Sequence, residues 1–380
     1  MTLSLPRREF LGRAGATMSV AAFIAACGGP LVHTRDTPGQ EAGDATSPIV
    51  TALRYGISAP SPHNTQPWRF TLTSDHEALL FVDPARLLPM TDPPARQTHI
   101  GHGTLLEVVA LAAPLFGHRA EIEELPAGPV AREAFGRTPT ARIRVVPDPT
   151  ASVGQLSDAI VVRRTSRLAH DEFPVSDTAA ARIEADAGSA RVAVRVIREP
   201  LAPLIRVAQR AMAIEVGAPA VYEESRVWFR FSAEEVARRG DGLNVEMTGT
   251  DSPAARAFLT PKNFASAANQ RRFLTAFDAA VAATRAFVTL ATPDNTMADW
   301  IATGRAYVRA QLAGDAIGLR MHPVTQALQE YPEMDAVRAE LAALVPVAAP
   351  ARLQMLVRLG RTPVPALSPR RPLAAMVMPA

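Results

Sequence analysis

The chain has 380 residues, of which 48% are hydrophobic and 20% charged, and its formal net charge is +3. That composition excludes intrinsic disorder and leaves room for two structural units. The pI of about 9.5 reflects arginine, since Lys262 is the only lysine. The arginines are dispersed rather than clustered, which argues against a nucleic-acid partner. Cys27 is the sole cysteine, so an intrachain disulfide and a multi-cysteine metal site are both excluded.

The N-terminus reads Pro6-Arg7-Arg8-Glu9-Phe10-Leu11-Gly12, then a weakly apolar run from Ala14 to Ala26. This resembles a twin-arginine export signal, and the run is too short for an ordinary membrane span. It ends in Ile24-Ala25-Ala26-Cys27-Gly28, which resembles a bacterial lipobox with Cys27 as the lipidation site. Residues 1–27 are therefore expected to act as the signal. The protein is expected to be exported to the periplasm and tied to a membrane by a lipid on Cys27, or else released by simple cleavage. The twin-arginine route carries folded cargo, which raises the expectation of a cofactor. Residues 28–46, rich in Pro, Gly, Asp and Thr, read as a flexible tether.

Ser47-Pro48 has the form of an N-cap followed by proline at the first helical position, and Ile49, Ala52, Leu53 and Gly56 keep helical spacing. Trp68–Thr73 and Ala78–Val82 form a hairpin pattern. Ile100 to Phe116 reads as an apolar helix closed by Gly117, and Ala141–Val146 as a strand. Beyond residue 155 the pattern gives a helix to about Arg163, a helix over 178–187 and a strand over 191–197. Helices over 204–216, 221–239 and 272–286 follow. A strand over 287–291, a core helix over 297–313 and a strand over 353–359 precede a proline-rich tail. Mixed helices and alternating strands in each half indicate an α+β fold.

Two segments suit a polar ligand. The first is the proline-stiffened loop Ser58-Ala59-Pro60-Ser61-Pro62-His63-Asn64-Thr65-Gln66-Pro67-Trp68, full of short hydrogen-bonding side chains between a helix and a strand. The second is Arg163-Arg164-Thr165-Ser166-Arg167, whose forked cations and hydroxyls suit a phosphate. The first string resembles the Ala-Pro-Ser-x-x-Asn-x-Gln-Pro-Trp signature of the nitroreductase family, and most closely its Acg-like branch, in which two nitroreductase-like halves share one chain. The second resembles the Arg-x-Ser/Thr-x-Arg/Lys element of that family.

The resemblance implies a fused pseudo-dimer with antiparallel or mixed sheets. Its halves would be 47–154 and 155–380, with a lid-like insertion over about 200–285. It implies one FMN, with Pro60, Ser61 and Asn64 against the ring and ribityl chain, and Arg163, Arg164, Thr165 and Arg167 on the phosphate. Gly318 and Leu319 would turn backbone N–H groups towards flavin N5, and Arg370 and Arg371 would return to the phosphate. Both loop and phosphate element occur once, in opposite halves, so one composite site per monomer is expected.

The implied function is an FMN-dependent oxidoreductase passing electrons from a small-molecule donor to a flat acceptor such as a nitroaromatic or quinone. No protein acid or base can be assigned. The competing expectation is an FMN-binding or sequestering protein without turnover. His99 and His102 lack a third ligand, so a metal is not expected. Trp228 and Trp300 read as core residues, and no Gly-x-Ser-x-Gly elbow is present.

Overall fold

The computed structural model describes residues 47–248, 251–347 and 350–378. The paired arginines, the lipobox-like segment with Cys27 and the tether lie outside the described residues. In chain order the elements are α1 (Pro48–Gly56), β1 (Trp68–Ser74), β2 (Glu77–Val82), α2 (Arg96–Ala112), β3 (His118–Glu124) and β4 (Ala141–Pro147). Next come α3 (Gln155–Ala159), α4 (Asp177–Ala187), β5 (Ala193–Ile197), α5 (Ala202–Gly217), α6 (Pro219–Val227), α7 (Ala233–Arg239), α8 (Pro253–Phe258) and α9 (Ala267–Ala282). The chain closes with β6 (Ala286–Thr292), α10 (Met297–Ala316), β7 (Arg320–Pro323), α11 (Asp335–Leu344) and β8 (Arg352–Gly360).

Two four-stranded antiparallel sheets result, ordered β1-β2-β4-β3 and β5-β6-β8-β7. The order is the same in both, and each sheet is built from helix, two strands, helix, two strands. The second copy differs by the segment α5–α9 inserted between its first two strands and by α11 between its last two. The α+β expectation thus holds, and the chain carries one topology twice.

The halves meet where α2 crosses α10. A Cβ on Gly103 would lie 1.9 Å from Ile301 O, and a Cβ on Gly304 would lie 1.9 Å from Ile100 O. The reciprocal pairing places equivalent residues of the two helices around a pseudo-two-fold axis, with the backbones in direct contact. Charge locks the same crossing: buried Glu107 on α2 pairs with Arg305 and Arg309 on α10, each at 2.8 Å. One apolar core runs through the contact, joining Leu53, Trp68 and Leu106 to Val308, Leu312 and Val357.

The second sheet is buried on both faces. Strand alternation sends Val288 and Val357 into the shared core, and Phe287 and Leu356 into a second core with the inserted helices. The tail crosses back to the first half, where Phe70 N donates to Met376 O at 2.9 Å and Met378 N donates to Phe70 O at 2.7 Å.

Some local expectations are corrected. The helix expected to reach Arg163 stops at Ala159, because the following chain pairs with β7: Thr165 bridges Met321, and Ser166 N donates to Met321 O. The single helix expected over 221–239 breaks between α6 and α7. There Arg230 N donates to Leu243 O and Leu243 N to Trp228 O, so the backbone pairs across the insertion instead of along a helix.

Candidate active site

A cavity of about 410 Å³, well sized for a small-molecule or cofactor ligand, opens against residues of both halves. The first half contributes Pro60, Ser61, Pro62 and His63, with Ile100, Gly101 and Thr104 of α2. The second contributes Thr165, Arg167, Tyr307 and His322, and the insertion supplies an aromatic wall that includes Tyr222, Phe264 and Phe277.

The loop of the first half is held in an uncommon backbone conformation. His63, Asn64 and Gln66 have φ of 47°, 52° and 52°, a region uncommon for non-glycine residues, although Asn and His enter it more readily than most. The fixing bonds come from the second half. Asn64 Nδ2 donates to Gly242 O and Pro369 O, both at 3.1 Å. Gln66 Nε2 donates to Gly240 O at 2.8 Å, and Gln66 Oε1 accepts from Arg371 N at 2.9 Å. Ser61 Oγ accepts from Gln66 N at 3.0 Å, and the Pro60 carbonyl accepts from Thr104 Oγ1 at 2.7 Å. His63 reaches Ser225 Oγ on α6 at 3.1 Å, tying the loop to the insertion. Burial, then Arg167, lowers the His63 pKa to about 4, so its ring is neutral at physiological pH.

Behind this loop sits a cluster of cations. Arg370 Nε donates to Ile57 O, and its Nη2 to Ser58 O and Ala59 O, at 2.8–3.0 Å. Its Nη1 donates to Asn64 Oδ1 at 2.9 Å. Arg163 Nη2 shares Ser58 O at 3.2 Å and Nη1 reaches Gln311 Oε1 at 3.1 Å. Burial, then Arg163 and Arg164, lowers the Arg370 pKa to about 9; burial, then Arg163, lowers that of Arg164 to about 10. The counter-charge is Asp315, which takes Arg164 N at 3.2 Å and pairs with Arg320 at 2.9 Å; burial lifts its carboxyl to about 6 despite these cations. Within the cluster Arg163 Nε, Arg164 Nε and Ser58 Oγ are buried donors without a partner. Arg167 stands apart on the cavity wall, with Nη1 donating to Met247 O at 3.1 Å.

Pro60, Ser61, Thr165 and Arg167 therefore line the cavity, whereas Arg163 and Arg164 flank it. Asn64, Arg370 and Arg371 do not line it; they brace the loop. Gly318 and Leu319 also lie off the wall. Their N–H groups close the end of α10, on Asp315 O at 3.2 Å and Gly314 O at 2.9 Å, and the φ of 80° at Gly318 serves that turn. The wall is reached just downstream, by His322, Pro323, Thr325 and Gln326. Sequence reasoning missed these and the insertion residues. The only signal was the i, i+4 pair Phe273 and Phe277, both on the wall.

His99 and His102 are buried in α2. His102 bridges Thr140 Oγ1 at 2.9 Å and Pro67 O at 3.0 Å, and His99 Nδ1 meets Ala95 O at 2.7 Å. Among the described residues no cluster of three or more His, Cys, Asp or Glu could hold a metal ion. Trp228 is buried between Arg86 and Arg230, whose guanidinium carbons are each 5.6 Å from its ring.

The class this defines is a two-halved α+β protein with a small-molecule cavity walled by both halves. No family model matches the chain. It is similar to the Mycobacterium tuberculosis protein named "Putative NAD(P)H nitroreductase acg", with 27% identity over 335 residues, 86% of this chain and 94% of that protein. A second protein of that organism, named "Putative NAD(P)H nitroreductase Rv3131", is 28% identical over 336 residues, 87% of this chain and 90% of the relative. Among solved structures, an FMN- and NADPH-dependent nitroreductase from Sphigopyxis sp. overlaps 59% of this chain and 98% of its own, at 17% identity and a TM-score of 0.36. That overlap is too loose to place any residue.

Proposed function

We propose that the protein is an FMN-dependent oxidoreductase of the nitroreductase type. The observation that carries this reading is the cavity walled jointly by the Pro60–His63 loop and by Thr165 and Arg167. Two relatives that match most of its length carry the name "Putative NAD(P)H nitroreductase", which supports it.

The donor set suits FMN. Arg167 and Thr165 on the wall would take the phosphate, backed by the buried cations Arg163 and Arg164, whose Nε atoms have no partner, because a surplus of buried positive charge is relieved by an anion. Pro60 and Ser61 would bound the ring. Asn64, Arg370 and Arg371 keep the loop in place for it, and Tyr307 closes the cavity from α10. FMN, when bound, supplies electron and hydride transfer. The chain's own residues bind, orient and exclude water, with α5–α9 as the cover. The acceptor is a flat nitroaromatic, quinone or similar molecule.

The test is spectroscopic. Purified protein should be yellow, should bleach under anaerobic NADPH or dithionite, and should regain its colour when a nitroaromatic is added. Flavin that no acceptor reoxidises would make this a flavin-sequestering protein, and a colourless protein unable to take up FMN would end the reading. Export and lipid attachment at Cys27 belong to the same proposal. Cys27→Ser should move the protein from the membrane to the soluble fraction, and unchanged fractionation would remove the anchor.

A further inference from the structure

One end of the cavity carries polar groups that the flavin reading does not use. Glu215 on α5 and, in the turn after β7, Gln326 and Gln329 all line it. Gln329 Nε2 donates to Glu215 Oε2 at 2.6 Å. That leaves Gln329 Oε1 buried without a partner, and Gln326 Oε1 is in the same position. Gln329 is 5% exposed and Glu215 7%. No ion pair to Glu215 is found among the described residues, and the charge that bears on it is another carboxylate, Glu224. Around these acceptors the wall is largely apolar, with Met212, Val216, Tyr222, Phe264, Phe273 and Phe277; Arg272 and Asn269 also line the cavity, and Arg272 forms no ion pair with Glu215.

Three acceptors thus share a cavity end, and Gln329 Nε2, which donates to one of them, is already used; the Tyr331 hydroxyl, which senses the Glu215 charge, makes no hydrogen bond to any of them. A buried acceptor with no donor is unfavourable, and a buried carboxylate without a cation more so. A purely structural brace would need only the Glu215–Gln329 bond, and would not leave two further buried oxygens without a donor on residues that line the cavity. We propose that this end binds a cationic N–H donor, an amidinium, guanidinium or ammonium group borne on a flat apolar body. Its N–H groups donate to the Glu215 carboxylate and to the Oε1 atoms of Gln326 and Gln329, while the body lies against the aromatic wall. Burial lifts the Glu215 carboxyl to about 7, as expected of a carboxyl that lacks such a partner. Naming this ligand the acceptor substrate rests on the flavin reading; the binding itself does not.

The probes are benzamidinium, benzamide and benzoate, titrated calorimetrically at pH 8 into the full-length protein and its Glu215→Gln variant. Benzamidinium should bind the parent at least about tenfold more tightly than benzoate, the scale of one charge-assisted hydrogen bond. Glu215→Gln should weaken benzamidinium by about the same factor and leave benzamide within about twofold. Equal affinity for benzoate, no binding of benzamidinium, or unchanged binding in the variant would each overturn the proposal. Should Glu215→Gln fail to fold, the contrast between benzamidinium and benzoate on the parent decides alone. Flavin absorbance reports separately on the flavin reading, so the two can fail independently.

Discussion

Arg163 and Asn64 belong to the same neighbourhood and do different work. Arg163 has a buried Nε without a partner and lies two residues before Thr165 of the cavity wall, so Arg163→Ala should weaken FMN by about 1.5–3 kcal/mol, tenfold to over a hundredfold in affinity. Asn64 spends its amide on Gly242, Pro369 and Arg370. Asn64→Ala should therefore appear first as lost stability, about 1–3 kcal/mol in denaturant unfolding, because it strands buried partners and removes a residue tolerant of positive φ. A variant as stable as the parent would contradict the bracing role. The sequence showed that this loop matters, because its prolines and short polar side chains are local chemistry. Which side chains face the cavity was not readable there. That is set by the φ values at His63, Asn64 and Gln66, which depend on partners some 170 to 300 residues away.

At the scale of elements, the crossing of α2 and α10 is held by two glycines. Gly304→Ala puts a methyl group against Ile100 O, and since backbone cannot rotate away as a side chain can, the helices must separate. The cost should be at least the usual overpacking penalty of about 1–3 kcal/mol, read as a lower melting temperature; Gly103→Ala should match it. An unchanged melt in both would contradict the close crossing. The long apolar helices were legible from periodicity. Strand β3 was not, because His118-Arg119-Ala120-Glu121-Ile122-Glu123-Glu124 is a charged sheet edge with little apolar alternation. Nor was β7, whose four residues end in Pro323. Both are strands because β4 and β8 pair with them. Helix α11 was legible in the spacing of Val337 and Leu341, both buried, and was passed over.

For the whole molecule, buried histidines set the response to acid. Burial lowers His63 and His99 to about 4 and His102 and His170 to about 3, and pushes His322 well below its ordinary value. A folded-state pKa below the unfolded one means that the unfolded chain binds more protons, so this stability is present above pH 6.5 and is lost as pH falls towards 4 and 3. Glu215, Asp92 and Asp315, raised by burial to about 7, 6 and 6, act oppositely and favour the fold at lower pH. The histidines outnumber them, so melting temperature should fall from pH 6.5 to 4, and a flat or rising profile would refute the balance. The duplication of topology was legible only as asymmetry, the loop in one half and the arginine element in the other. The reciprocal Gly103–Ile301 and Gly304–Ile100 contacts explain why the two sequences can share one cavity. The most direct test of that sharing is the ratio of flavin to protein, by absorbance after acid extraction of the flavin-saturated chain. One FMN per chain is the predicted result; two per chain, or FAD in its place, would contradict a single site composed of both halves.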